Sequence, residues 1–238
     1  MGSTNTEALN QAKQGANEGL CVIARYQNAG RGRHGRAWTS PPDAGLHFSL
    51  VLRPKIEMLF LPLITLMSGA AVHDTLEELY GLKCDIKWVN DIHIRCKKVS
   101  GILAERCETV KGSAVIVGIG INLKIADYPQ ELKTLITSVE AETGSVPQFE
   151  KLLETLTAKI KFFYRILHGE NGVSEIRRMW TERSSYADGK RVSVESENEI
   201  IRGVTRGIEE NGALRVETEQ GEIKIVQAGE VSKLRRQV

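Results

Sequence analysis

The stretch Gly30-Arg31-Gly32-Arg33-His34-Gly35-Arg36-Ala37-Trp38 constrains this chain more than any other. Alternating glycines and arginines do not make a helix or a core, and the stretch stands between two apolar, β-branched runs at 20–26 and 46–52. The fold must therefore carry an irregular cationic loop between two strands of a sheet. Glycines let backbone N–H groups approach a ligand, and guanidinium groups bind phosphate or carboxylate in bidentate fashion, so the loop has the chemistry of an anion cradle. Between residues 19 and 42 the formal charges are Arg25, Arg31, Arg33 and Arg36 with no acid, inside a chain whose net charge is only +2. The positive charge is local.

That near-neutral balance argues against a protein that coats nucleic acid, which must neutralise many phosphates. With 238 residues and 41% hydrophobic content, the chain can bury one large core, or one large and one small. Cys21, Cys84, Cys96 and Cys107 show no C-x-x-C spacing and the first residues are polar rather than a signal sequence, so a reducing cytoplasm is expected. The uncharged run 58–72 has 15 residues and includes Pro62, too short for a membrane span and better read as a buried helix of a soluble protein.

Thr4 with Glu7 has the form of a capping box, and Ala8, Leu9, Ala12 and Ala16 continue at helical spacing up to Gly19. The run 20–26 is expected to be a buried strand, 46–52 the next, 61–80 a helix stopped by Gly81, and 85–88 another extended segment. Residues 97–105 and 113–122 read as an antiparallel hairpin turning near Gly112, followed by helices over 147–168 and 173–183. Beyond Ser184 come the short strands 191–195, 200–208, 213–218 and 222–226, with turn signals at Glu197-Asn198, Asn211-Gly212 and Gln220-Gly221. These predict a first domain over 1–185 and a small β-barrel over 186–238 that leans on its neighbour.

Gly30-x-Gly32-x-x-Gly35 matches the dinucleotide fingerprint in letters only, because the residues after Arg36 do not open a helix. No kinase H-R-D or D-F-G follows, no Walker loop is present, and 5% aromatic content is poor for a single-strand RNA platform. Four motifs in order then resemble those of the biotin protein ligases: the arginine loop, Lys87-Trp88-x-Asn90-Asp91, Lys98-x-x-Gly101-Ile102-Leu103-x-Glu105, and Gly118-x-Gly120-x-Asn122. Gly207-Ile208-x-x-x-Gly212-Ala213-Leu214 and Gly229-Glu230-Val231-Ser232 resemble that family's end domain. Val89 stands where the second motif usually has proline.

The resemblance implies an α+β fold of the class II aminoacyl-tRNA synthetase and biotin ligase type, with a mixed or antiparallel sheet, flanking helices and an SH3-like barrel. It implies biotin and ATP as substrates, Mg²⁺ brought with ATP, and a biotin carboxyl carrier domain as partner. Ser3, Thr4, Asn5, Gln27, Gly30, Arg31, Gly32, Arg33, Lys98 and Gly101 would hold biotin; Arg33, Arg36, Trp38, Asn90, Lys98, Gly118, Gly120 and Asn122 would hold ATP. Lys98, Arg33 and Lys87 would be the catalytic cations, and Asp91 the carboxylate that accepts or orients the proton of the carrier lysine. His34, His47, His73, His93 and His168 lack ligand spacing, so no protein-held metal is expected. Without a DNA-binding domain, a monofunctional ligase is expected; no membrane or nucleic-acid partner is, and a homodimer is left open.

Overall fold

The computed structural model describes residues 1–39, 41–195, 199–227 and 230–233; of the side chains at 230, 232 and 233 nothing is said. The first sheet is built from β1 (Cys21–Ala24), β2 (Gly45–Leu52), β3 (Asp85–Lys87), β4 (Asp91–Ile94), β5 (Lys97–Thr109) and β6 (Gly112–Asn122). Their order is β1-β2-β6-β5-β4-β3, and every ladder is antiparallel. Strand β2 is buried at all its positions, and its alternation decides the architecture. Leu46, Phe48, Leu50 and Leu52 face the main core. Gly45, His47, Ser49 and Val51 face the other side.

On that other side lies α1 (Thr4–Lys13), whose Ala8 and Ala12 pack on Val22, Val51, Ala114 and Ile116. The main core is closed by α2 (Leu63–Tyr80), which ends at the left-handed Gly81. Short turns α3 (Gln130–Lys133) and α4 (Val139–Thr143) lead to α5 (Phe149–Leu167) and α6 (Gly172–Glu182), which pack against α2. Their apolar stripes, such as Leu152, Leu156, Ile160, Phe163 and Leu167, are fully or nearly fully buried. Burial of each such side chain stabilises by about 1.5–3 kcal/mol. By length and composition 58–80 resembles a membrane span, yet most of it is buried inside the fold.

The second sheet contains β7 (Asp188–Glu195), β8 (Ile200–Ile208), β9 (Leu214–Thr218), β10 (Ile223–Val226) and β11 (Glu230–Lys233), in the order β10-β9-β8-β7-β11. It leans on the first domain through a shared core, in which Val192, Leu214 and Val216 join the cluster of Leu66 and Trp180. The connection also grips the edge of the first sheet. Ile86 N donates to Arg183 O at 3.1 Å, Ser184 Oγ to Ile86 O at 2.6 Å, and Ser185 N to the Asp85 carboxylate at 2.7 Å.

Four expectations change. Within 20–26 only Cys21–Ala24 is strand, and it is an edge strand rather than a buried one, since β1 lies at the end of the sheet beside β2 and exposes Cys21 and Ile23. The first helix stops at Lys13, and its cap is Ser3, whose hydroxyl accepts from Thr6 N; Thr4 is drawn instead to Gln27. Asp91 opens β4, a strand not anticipated between the extended segment 85–88 and the hairpin. Finally β11 adds a strand not anticipated, while the ladder between β10 and β11 stays open among the described residues. The turn expected at Glu197-Asn198 and Gly229 of the last motif lie outside the described residues.

Candidate active site

The arginine loop folds on itself. Trp38 N donates to Gly30 O at 2.9 Å and Gly32 N to Arg36 O at 2.7 Å, giving a narrow hairpin whose tip is the 3₁₀ turn Arg33–Gly35. The pairing explains one glycine directly: a Cβ on Gly30 would lie 2.4 Å from Trp38 O. The hairpin lies over the α1-facing side of the first sheet and lays the Trp38 indole on the backbone there. Carbons of that ring are 2.9 Å and 2.6 Å from where a Cβ on Gly101 or Gly120 would stand. Beneath and around it is a cavity of about 150 Å³, smaller than the ~300–1,000 Å³ usual for ligand pockets, because the indole crosses it.

One end of the cavity is neutral and polar. Thr4 N and Oγ1 donate to Gln27 Oε1 at 2.7 and 3.0 Å. Ser49 Oγ lies 2.7 Å from both Thr4 Oγ1 and Asn5 Oδ1, and its single proton can serve only one of them. Asn5 Nδ2 donates to Glu105 Oε2 at 2.9 Å and to Leu103 O at 3.3 Å. Arg31 closes this corner by pairing with Glu105. Gly118, which the resemblance puts on the nucleotide side, is the floor of this neutral end: a Cβ there would be 2.1 Å from Asn5 Oδ1.

The other end is charged. Lys98 Nζ is 2.7 Å from Asp91 Oδ1, and Lys87 is the cross-strand partner of Asp91. A β-bulge makes this possible. Asp91 pairs with Gly101 and Ile92 with Ser100, but His93 pairs with Lys98, so Val99 is the extra residue. Val99 turns into the core, and Lys98 comes round to the face of Asp91. Burial pushes the Asp91 carboxyl up, but His93 and the Lys98 ammonium beside it prevail and hold it at about 2. Such a carboxylate is a poor base near neutrality. What the geometry shows is that Asp91 holds the Lys98 ammonium on the cavity wall. The turn before Asp91 is held by Asn90, whose Nδ2 donates to Ile102 O at 2.9 Å and whose carbonyl accepts from Ile102 N at 2.8 Å. Arg33 Nη1 donates to Asn90 Oδ1 at 3.2 Å and ties the hairpin tip to this turn.

The cavity is lined by Ser3, Thr4, Asn5, Gln27, Arg31, Gly32, Arg33, Arg36, Trp38, Lys87, Asn90, Asp91, Lys98, Gly101, Gly118 and Gly120. Two residues expected there do not line it. Gly30 is spent in the hairpin ladder, and Asn122 is buried with Nδ2 donating to Thr137 O at 3.1 Å, where it anchors the segment after β6. Sequence reasoning missed His47, Trp88, Leu103 and Val231 among the lining residues, and Ser49 and Glu105 behind them. Period-two alternation finds most of these: Gly45, His47 and Ser49 on one strand, Gly101, Leu103 and Glu105 on another. Burial pushes the His47 imidazole down to about 4, so it meets a ligand as a neutral ring. Val231 comes from β11, so the second sheet contributes to the wall.

Among the described residues, Asp91 is the single acid lining the cavity, and Lys98 already pairs with it. The donor set therefore suits a metal that arrives on phosphates rather than one caged by protein. The His73, Asp74 and Glu77 group on α2 lines no part of the cavity, and Arg183 bonds both oxygens of Asp74.

A polar slot, a cationic hairpin and a lysine–aspartate pair on one antiparallel sheet make a site suited to a ligand with a neutral polar end and an anionic end. Residues 1–122 match the Biotin/lipoate A/B protein ligase family, and residues 189–234 the Biotin protein ligase C terminal domain. The chain belongs to the biotin protein ligases. It is 36% identical over 231 residues to the bifunctional ligase/repressor BirA of Bacillus subtilis, spanning 96% of this chain and 70% of that protein. It is 34% identical to the biotin–[acetyl-CoA-carboxylase] ligase of Paracoccus denitrificans, spanning 96% of each. The biotin protein ligase of Aquifex aeolicus in complex with biotin and ATP superposes with a TM-score of 0.84 at 31% identity, covering 98% of this chain and 95% of that one.

Proposed function

We propose that this chain joins biotin to one lysine of a biotin carboxyl carrier domain through biotinyl-AMP. In the first step an oxygen of the biotin carboxylate bonds to the α-phosphorus of ATP as the bond to pyrophosphate breaks. In the second the uncharged carrier lysine attacks the acyl carbon, AMP leaves, and the proton lost by the amine passes to solvent or a nearby base. The observation that carries the reading is the Lys98 ammonium, held by Asp91 at 2.7 Å on the cavity wall between the Ser3–Gln27 slot and the arginine hairpin.

The slot supplies hydroxyl and amide groups suited to a ureido ring, with Thr4, Asn5 and Gln27 already ordered by one another. Lys98 and Lys87 offset the repulsion between carboxylate and triphosphate, and Arg33 and Arg36 bring the hairpin down on the nucleotide. Mg²⁺ bound to the phosphates would neutralise further charge there. The Trp38 indole must leave the glycine track to admit the nucleotide, since Gly101 and Gly120 are covered by it. We assign the protein to the cytoplasm, in keeping with its four free cysteines, and to ligase activity without operator binding, in keeping with its net charge of +2.

With biotin, ATP and Mg²⁺ the protein should release pyrophosphate and then label a biotin carboxyl carrier domain on lysine. Pyrophosphate release that follows lipoate instead of biotin would overturn the reading.

A further inference from the structure

The bulge that brings Lys98 to Asp91 brings a third group with it. His93 lies two residues after Asp91 on the same face of β4 and directly opposite Lys98. Its side chain is 12% exposed, its Nε2 is buried and makes no hydrogen bond, and that nitrogen is 3.9 Å from Asp91 Oδ2. A buried ring nitrogen without a partner is costly and calls for a reason. Here it lies toward the Asp91 carboxylate, on the side of the oxygen that Lys98 does not take.

We propose that His93 is a positioning residue of the ligase reaction, its protonation deciding how much of the Asp91 carboxylate is left to Lys98 and so how strongly Lys98 holds anionic substrates. The inference rests on the reading of Lys98 as the ammonium that meets carboxylate and phosphate. With a neutral imidazole, Asp91 belongs to Lys98 and partly cancels its charge. A protonated ring needs to close by roughly 1 Å to donate a charge-assisted hydrogen bond to Oδ2. The carboxylate is then shared, and the Lys98 ammonium presents more of its charge to the cavity.

The other groups around His93 do not replace it. Asp85 faces it from β3, but its oxygens accept from Ser185 N and Oγ at 2.7 and 2.6 Å. Lys87 lies one row further along β3, opposite Asp91. Tyr186, where the chain leaves the first domain, is pushed up to about 12 by burial and by Asp85 and Cys96, and stays neutral. Imidazoles change charge between about pH 5 and 8, so His93 is the group placed to tune the pair near neutrality. By linkage, an anion on Lys98 must in turn favour the protonated ring.

Two measurements test this. In the ligand-free protein, the His93 ring is titrated by NMR in the wild type and in Asp91→Asn; its midpoint should fall by about one pH unit or more when the carboxylate is lost. In biotin-dependent pyrophosphate exchange, KM for ATP in the wild type should fall about threefold or more between about pH 8 and pH 6, with His93→Phe and His93→Gln flat over that range. A merely structural histidine would raise KM equally at every pH. If the midpoint stays put in Asp91→Asn, or both histidine variants follow the wild-type pH profile, the proposal falls. If the midpoint moves but no pyrophosphate is released with biotin, the ligase reading fails and the His93–Asp91 coupling stands.

Discussion

Gly118→Ala tests the architecture of the neutral end of the cavity. The new methyl would lie 2.1 Å from Asn5 Oδ1 and 2.7 Å from its Cγ. Asn5 has little freedom to yield: it is 4% exposed, in the first turn of α1, and held by Ser49 at 2.7 Å, Glu105 at 2.9 Å and Leu103 O at 3.3 Å. Losing buried hydrogen bonds with their partners left behind costs about 1–3 kcal/mol, and retaining the clash costs a similar amount. The chain can relax one at the expense of the other, so we expect about 2–3 kcal/mol, which on biotin affinity is a weakening of roughly 30- to 150-fold. ATP affinity should change less than about twofold, because the Lys98–Asp91 pair lies at the far end of the cavity. Calorimetric titration with biotin, with ATP and in the Asn5→Ala background measures all of this. If the clash with Asn5 is the cause, Gly118→Ala should add almost nothing once Asn5 is alanine. An equal loss for both ligands, or an undiminished penalty in the double mutant, would refute the reasoning.

Asp91→Asn should lower stability at neutral pH by about 2 kcal/mol, from a carboxyl held at about 2 against 3.8 in the free residue. Because the folded pKa is depressed, this contribution is complete above about pH 4 and lost as pH falls through about 2, so urea unfolding of wild type and variant should converge in that window. A difference that persists unchanged at about pH 2 would contradict the pairing. Arg95 and Cys96 turn the β4–β5 hairpin with φ of 49° and 67°, where only glycine is comfortable, and Cys96→Gly should stabilise by about 0.5–1 kcal/mol in the same assay. No gain would mean that the turn is otherwise satisfied. Trp88→Phe removes the indole donor that reaches Gly212 O at 3.0 Å and leaves a buried carbonyl unpaired, a loss of about 1–3 kcal/mol; an unchanged unfolding midpoint would sink this assignment.

Much of this was legible in the chain. The strand runs, the Gly81 stop, the hairpin around Gly112 and the amphipathic helix ending at Leu167 follow from local periodicity and backbone freedom, which act at short range. The motif glycines also fell in place, because Gly101, Gly118 and Gly120 alternate along adjacent strands. What local pattern missed was decided by distant partners. Thr4 looks like a cap until Gln27 is near enough to claim it. Asn122 closes a motif, but only the fold shows Thr137 O beside its amide. The run 20–26 reads as a core strand because composition does not tell an edge from a centre. His93 and Val231 carry no motif: strand pairing brings His93 beside Asp91, and the docking of the second sheet brings Val231 to the cavity.

Lys97 and Lys98 are neighbours of identical chemistry, and a reader of side chains alone has no basis for choosing between them. The choice is made by arithmetic: one strand has one more residue than its partner between Asp91 and the turn, and the surplus is Val99. Lys97 is thereby left in solvent while Lys98 is delivered to the carboxylate. The specificity of this ion pair is thus written in chain length rather than in residue type. Over evolutionary time such a site should tolerate exchanges of the spacer residue for another apolar one and resist insertion or deletion beside it, since a shift by one place would deal the contact to the wrong lysine.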